Sequence, residues 1–599
     1  MRGFRIRFIG LAVAAFVITA FLSGCGGSDT TKGPTITATN SAGTIYTTQP
    51  LSITFSEAMD QASVEGAFSV AGSGAVSGAI TWSGNTLIFT PASRWLTHHT
   101  YTITIATAAM SAAGLPIDAQ YTQTFTPSLN MHDVNGDGIA DFMLGSSQHD
   151  YSPTVLDAGQ AYLFLGRTTW SDFNLSTTPA DATFSMSQGG IFMGADAKVV
   201  GDMNGDGYAD MAFSSAIDEG FVGIVFGSAS PTGFTVDPAV PATIDNFSAL
   251  AVGPDNSASL GVTIMPAGDV NNDGLADVIV VGKDITAQTT KYWLILGRTT
   301  AFPTPSTFPL ITAVADAVYT VPGISVVDGA EGMPVAACDV NGDEYDDMIF
   351  GAPLFDATNT GKVLVVAGST TPASVDLGAA AASETLTGAN AGDKFGASVA
   401  CGDVNGDGFG DIMAGAPQFS NATGRIYLVG GASAFKDHNF STDTAMALFT
   451  GPAATTGFGT IGCIQGDVNK DGFPDMIVSA PLMTVGGTAN RGSTWLFLGA
   501  SAPTGVDLAT GSANATFVGT NEGGAFGYCK AVGDANGDGI DDILLGEPGA
   551  GGGGIFRGQV FLIFGAFIPA SLDLSTQSAN ATFTGAADND LLSLALEFL

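Results

Sequence analysis

Charge is scarce in this chain, and basic charge scarcest. Only 12% of the 599 residues are Asp, Glu, Lys or Arg, and 18 basic residues stand against 56 acids, for a formal net charge of −38. Binding to nucleic acid needs Lys and Arg clusters that neutralise phosphate, so that class of partner is excluded. Five cysteines occur, with no C-x-x-C pair and no Cys/His cluster of zinc-binding spacing. His98, His99, His132, His149 and His438 form no H-E-x-x-H, and no G-x-S-x-G elbow is present. Past Leu22 no apolar stretch approaches the roughly 20 residues that a membrane-spanning helix needs. Glycine, by contrast, is abundant at 81 residues, and the apolar content of 45% is too high for disorder. Short apolar runs between Gly-rich turns read as an all-β chain too long for one core.

The N-terminus carries an address. Arg2, Arg5 and Arg7 precede an uncharged stretch from Phe8 to Leu22 and then Ser23-Gly24-Cys25, the layout of an export signal over residues 1–24. Leu22-Ser23-Gly24-Cys25 resembles the lipobox of bacterial lipoproteins. That resemblance implies lipidation at Cys25 and, with Gly26 following, an outer-membrane or cell-surface lipoprotein. Its contact with the membrane is then the lipid anchor only, and two or more acyl chains hold firmly where one does not. Residues 25–33 read as the lipidated Cys and a flexible tether. The other cysteines, Cys338, Cys401, Cys463 and Cys529, stand at unequal offsets before four acidic loops. They read as small buried apolar residues, with disulfides allowed in an oxidising compartment.

Residues 34–127 alternate apolar and polar side chains in runs such as Leu51-Ser-Ile-Thr-Phe55, Thr86-Leu-Ile-Phe89 and Tyr101-Thr-Ile-Thr-Ile105. Short alternating strands between Gly, Ser and Asn turns suggest a β-sandwich. The segment resembles bacterial Ig-like domains that open on a Phe55-Ser-Glu-Ala-Met-Asp60 motif. Trp82 reads as a core anchor, and the domain as a spacer that lifts the larger one off the membrane.

Over residues 128–599 an acidic loop, D-x-N-x-D-(G)-x-x-D, begins at Asp133, Asp202, Asp269, Asp339, Asp403, Asp467 and Asp534. A fixed period of this length marks units that bury their apolar faces on neighbours. Each loop leads into a continuous apolar run, such as Phe142-Met-Leu-Gly145, as expected of a strand covered on both faces. A third strand, such as Tyr162-Leu-Phe-Leu165, and a more polar fourth complete each unit. Four strands per unit, set radially, predict a seven-bladed β-propeller behind the Ig-like sandwich. The pattern is similar to the FG-GAP repeats of integrin α-subunits. Phe395-Gly396 and Gly415-Ala-Pro417 match fully; Phe458-Gly459, Phe526-Gly527, Gly351-Ala-Pro353, Ser479-Ala-Pro481 and Gly546-Glu-Pro548 match in part. Residues 588–599 resemble the start of a further repeat, read either as a strand completing the ring or as a truncated copy.

Oxygens at loop positions 1, 3, 5 and 9, with the carbonyl at 7, can wrap a Ca²⁺ ion. In the first unit these are Asp133, Asn135, Asp137 and Asp141, with the carbonyl of Ile139. The matching side chains are Asp202, Asn204, Asp206 and Asp210; Asp269, Asn271, Asp273 and Asp277; Asp339, Asn341, Asp343 and Asp347. They continue as Asp403, Asn405, Asp407 and Asp411; Asp467, Asn469, Asp471 and Asp475; Asp534, Asn536, Asp538 and Asp542. Up to seven structural Ca²⁺ ions are expected, more weakly held in the fourth unit, where Glu344 replaces the glycine at position 6. Position 12 is apolar, as in Leu144 and Phe213, which excludes EF-hands.

The integrin resemblance puts a partner on the face opposite the loops, across 146–158, 352–360, 416–423, 481–490 and 521–524. Tyr151, Phe355 and Phe419 are its candidate contact aromatics, weighed against a role as loop anchors. With no catalytic motif, the chain reads as a binding or adhesion protein for a protein or glycan ligand and not as an enzyme. A lectin is the alternative reading, and a polysaccharide-active enzyme the third.

Overall fold

The structure, a computed structural model, describes residues 32–592 apart from 43–44, 73, 98, 216–217, 238–239, 241–245, 255–258, 285–288, 303–309, 323–333, 454–455, 465, 532, 552–555 and 566–567. The export signal, Cys25 and residues 593–599 lie outside the described residues. Among those described, no helix is long and apolar enough to cross a membrane.

The alternating runs near the N-terminus form two sheets. Ile36–Thr39, Leu51–Phe55, Thr86–Pro91 and Gly78–Ser83 make one; Phe68–Ala71, Tyr101–Ile105 and Tyr121–Phe125 make the other. Leu51–Phe55 and Tyr101–Ile105 bury every second residue, which is what a pleated strand with one wet face requires. Asp60, the last residue of the opening motif, caps the helix Gln61–Ala67 by accepting from Ser63 N–H at 3.3 Å. Trp82 is only partly buried, its indole bound to Glu65 at 2.9 Å. The anchoring aromatic is Trp95, 1% exposed and packed edge-on against Tyr101 and Phe125.

Behind this domain seven more sheets follow in order, one per acidic loop. In the fifth unit Val399–Gly402 enters the loop, Asp411–Ala416 leaves it, and Arg425–Val429 and Ala447–Thr450 complete an antiparallel sheet. All six residues of Asp411–Ala416 are buried, as its unbroken apolar run demands. The first unit differs: its repeat contributes Phe142–Ser146, Gln160–Phe164 and Ala182–Met186.

Each repeat-region core lies between two sheets rather than within one. Phe184 and Phe213 pack in one cluster across the first and second units, and Leu386 and Ile412 in another across the fourth and fifth. Phe142, Phe164, Leu562 and Phe583 form the equivalent core between the first unit and the seventh. Short parallel strands add a second tie. Phe234–Val236 of the second unit pairs with Ala182–Met186 of the first, and Val375–Asp376 of the fourth with Ala317–Pro322 of the third. In the same manner Phe173–Asn174 of the first unit pairs with Ala581–Thr584 of the seventh. Several units therefore hold five strands where the sequence predicted four.

Three of the cysteines correct the expectation of free, apolar thiols. Cys338 and Cys401 form a disulfide joining the first strands of the fourth and fifth units, Val335–Cys338 and Val399–Gly402, and Cys463 of the sixth is also disulfide-bonded.

Candidate cation loops

Every acidic loop folds by the same local bonds. At position 1, Asp133 accepts from Asp137 N–H at 3.1 Å and Gly138 N–H at 2.8 Å. Its counterparts Asp202, Asp269, Asp339, Asp403, Asp467 and Asp534 each accept from the same two positions. At position 5, Asp137 accepts from Ile139 N–H at 2.9 Å, an Asx-turn that the other six loops repeat. Asn135 donates its amide to Asp137 at 3.0 Å, whereas Asn536 of the seventh loop turns to Asp542. Carboxylates in these loops are thus bound to loop N–H groups, and among the described residues no three His, Cys, Asp or Glu side chains gather as a metal-ligating set.

The ninth position does a different job. Asp141 accepts from Val134 N–H at 2.8 Å with one oxygen and from Gly166 N–H at 2.6 Å with the other. Gly166 follows the third strand, so this carboxylate ties the loop to the third strand's exit and sets both on one face. The seven such glycines were not read as site residues from the sequence. Their signal is a glycine recurring at fixed distance after each third-strand run, and a Cβ at Gly166 would fall 2.5 Å from Ala140 O. Burial raises the ninth-position acids: Asp141, Asp347, Asp411, Asp475 and Asp542 to about 7, with Asp210 and Asp277 also well above the ordinary carboxylate value.

Positive φ is needed at two loop positions, not one. Gly136 and Gly138 stand at 77° and 83°, and where glycine is replaced the left-handed conformation persists: Asn272 at 52°, Lys470 at 61° and Glu344 at 75°. In the fourth loop the amide oxygen of Asn341, a residue 9% exposed, has no hydrogen-bond partner. A buried orphan oxygen among hard oxygen donors is what a Ca²⁺ ion would satisfy, so the residues present fit such an ion.

Consecutive loops are bonded to one another. Ala209 N–H donates to Asp133 O at 2.8 Å, Ala276 to Asp202 O at 2.9 Å and Gly410 to Asp339 O at 2.7 Å. Ala140 of the first loop donates to Asp534 O of the seventh at 3.0 Å in the same way.

The Ig-like domain reaches this face. Thr47 donates to Gly274 O at 3.0 Å, Thr97 stands 3.5 Å from the Asp269 carboxylate, and His99 Nδ1 lies 2.7 Å from Glu344. The His99 Nδ1 makes no hydrogen bond there, so the last is a close contact of the two side chains. The expected spacer is therefore seated on the loops of the third and fourth units. On the opposite face Tyr151 is 46% exposed, while Phe355 and Phe419 pack into core clusters under Lys362 and Arg425 and act as loop anchors.

Residues 334–366 and 395–429 match the FG-GAP repeat. These stretches begin at the first strands of the fourth unit and at Phe395 of the fifth. Residues 30–127 match the bacterial Ig-like domain. The FG-GAP resemblance extends to curated proteins. The chain is 28% identical to integrin alpha-5 of Xenopus laevis over 257 residues, 42% of this chain and 23% of that one. It is 30% identical to integrin alpha-IIb of Mus musculus over 237 residues, 39% and 21% of the two chains. It is 31% identical to phosphatidylinositol-glycan-specific phospholipase D of Rattus norvegicus over 173 residues, 28% and 20%. The chain thus spans between a fifth and a quarter of these relatives, two integrin alpha chains and a phospholipase.

Proposed function

We propose that the seven sheets are the blades of a calcium-stabilised β-propeller, carried on a lipid-anchored envelope protein that binds a partner by the face away from the loops. The observation that carries the reading is the seat of the Ig-like domain. With Thr47, Thr97 and His99 on the loop face, the loops of the third and fourth units are covered, and the longer loops of the opposite face are left for a ligand. The loops of that face expose Tyr151, Leu156 and Leu482 at 46%, 53% and 51%. The partner is a protein or a glycan, as the integrin likeness and the absence of a catalytic motif both suggest; a lectin is the second form of the same reading. The ring form is supported by the first and seventh units sharing a core, a parallel strand pair and a loop bond of the kind that joins other neighbours.

Calcium would be held by the side chains at positions 1, 3, 5 and 9 and would supply the positive charge that a chain of −38 lacks around its buried acids. Extracellular modules bind calcium at about 10⁻⁴–10⁻³ M, so the sites would fill outside the cytoplasm. At tenfold excess over the dissociation constant each ion would stabilise the fold by about 1.4 kcal/mol. The Cys338–Cys401 disulfide suits the same oxidising location.

Two experiments test this. Melting the exported protein with and without excess EGTA should show a markedly lower transition after chelation, and an unchanged melt rejects structural calcium. A glycan array and turnover assays on polysaccharides should give binding without cleavage; product release would make the chain an enzyme.

A further inference from the structure

Resting on the calcium reading above, we propose that the Ig-like domain divides the seven loops into two classes of cation site, three closed by its edge and four open to solvent. Position 6 shows the division. Gly207, Gly274 and Glu344 of the second, third and fourth loops are wholly or partly covered, whereas Gly138, Gly408, Gly472 and Gly539 of the other four are exposed.

A short edge of the Ig-like domain makes this cover. At the second loop, Arg94 Nη2 takes the space that a Cβ on Gly205 would need, and Thr48 Oγ1 stands 3.6 Å from the Cβ position of Gly207. At the third, Trp95 O and Arg94 Cβ lie 3.1 and 3.3 Å from the Cβ position of Gly274, whose own carbonyl accepts from Thr47. Thr97 and His99 continue the line to Asp269 and Glu344. Elsewhere on this face the repeats cover themselves. Position 7 of the following loop stands over the position-4 glycine: Tyr208 over Gly136, Phe409 over Gly342 and Phe473 over Gly406. The third loop has Leu275 at position 7, 2% exposed, and Arg94 stands nearest Gly205 in its stead. The Ig-like domain thus supplies a side chain that the repeat supplies at other loops.

The chemistry of release makes the two classes distinct. Ca²⁺ takes about six to eight oxygen ligands, waters among them, and it leaves by trading protein oxygens for water. An open loop admits that water directly. A covered loop admits it only when the domain lifts, and an opening that breaks packed contacts is rarer than the motion of a free loop. The seat is close-fitting: Thr47 is 1% exposed and Thr97 5%, so neither position has room for a long side chain. Among the described residues, the loop asparagines whose buried amide oxygens lack a partner are Asn272 and Asn341, and both belong to the covered class.

Calcium release from the full chain into a chelating indicator, followed by stopped flow, tests the division. Three ions should leave about tenfold or more slowly than the other four. Thr47→Arg with Thr97→Arg should lift the domain and merge the two phases at the faster rate. Hydrogen exchange in excess EGTA reads the cover without metal. Amides of 202–210, 269–277 and 339–347 should exchange more slowly than those of 403–411, 467–475 and 534–542, and the double variant should erase the difference. The wild-type phases and exchange decide the matter even where that variant fails to fold. A single release phase, two phases that the folded variant leaves in place, or equal exchange in the two sets overturns the proposal. Seven ions leaving together would keep the calcium and deny the cover, whereas a chain that binds no calcium would deny both.

Discussion

Lys470 and Glu344 stand where the loop asks for glycine, and the two differ in what they gain. A side chain held at positive φ costs about 1–2 kcal/mol, offset in part by the freedom a glycine loses on folding, about 0.5–1 kcal/mol. Lys470 is exposed at φ 61°, so Lys470→Gly should raise the denaturant midpoint by the equivalent of about 0.5 kcal/mol. Glu344 holds φ 75° but meets His99 of the Ig-like domain. Glu344→Gly should relax the fourth loop and loosen that contact, read as faster proteolysis near residues 94–99 with no loss in the melt of the repeat region. The exception at position 6 was visible in the sequence; its reason was not, because it lies in a residue more than two hundred positions away. The same holds for the choice between Trp82 and Trp95, two aromatics in one alternating domain whose burial depends on which strand turn faces inward.

At the level of strands, apolar runs beside the loops were legible because covered strands need no polar alternation. Two-residue strands such as Phe173–Asn174 and His438–Asn439 were not, since nothing periodic fits in two residues. Nor was the Cys338–Cys401 bond, which depends on the first strands of two neighbouring units lying side by side with Cα atoms 6.1 Å apart. Cys338→Ser should destabilise the oxidised protein by about 2–4 kcal/mol, and have no such effect under reducing conditions; equal melts in oxidant would deny the staple. In the fourth strand of that unit, Glu384 is raised to about 7, first by burial and then by Asp437. The fold disfavours its ionised form, so its cost is absent below pH 4.5, grows up to about 7 and is full above it. Glu384→Gln should therefore stabilise the protein at pH 8 by about 1 kcal/mol, allowing for solvent screening, and leave it unchanged at pH 4. Melts at the two pH values check it.

Across the whole molecule, the loops declared both their number and their oxygen-rich chemistry in sequence. They withheld how far those oxygens are already engaged: each first-position Asp carboxylate accepts from two loop N–H groups, so the bends have side-chain-to-backbone bonds of their own. On the proposed calcium reading, chelation lowers the melt without erasing β-structure at low temperature, a distinction that circular dichroism in the cold and a melt in EGTA would make. The seam between the seventh unit and the first, sealed by Ala140 to Asp534 and by Phe173 beside Phe583, has one more effect. An open stack of repeats can shed its end members one at a time. In the ring proposed above there is no end member to shed, so loosening any one unit would tear two seams together and unfolding would become a single concerted event.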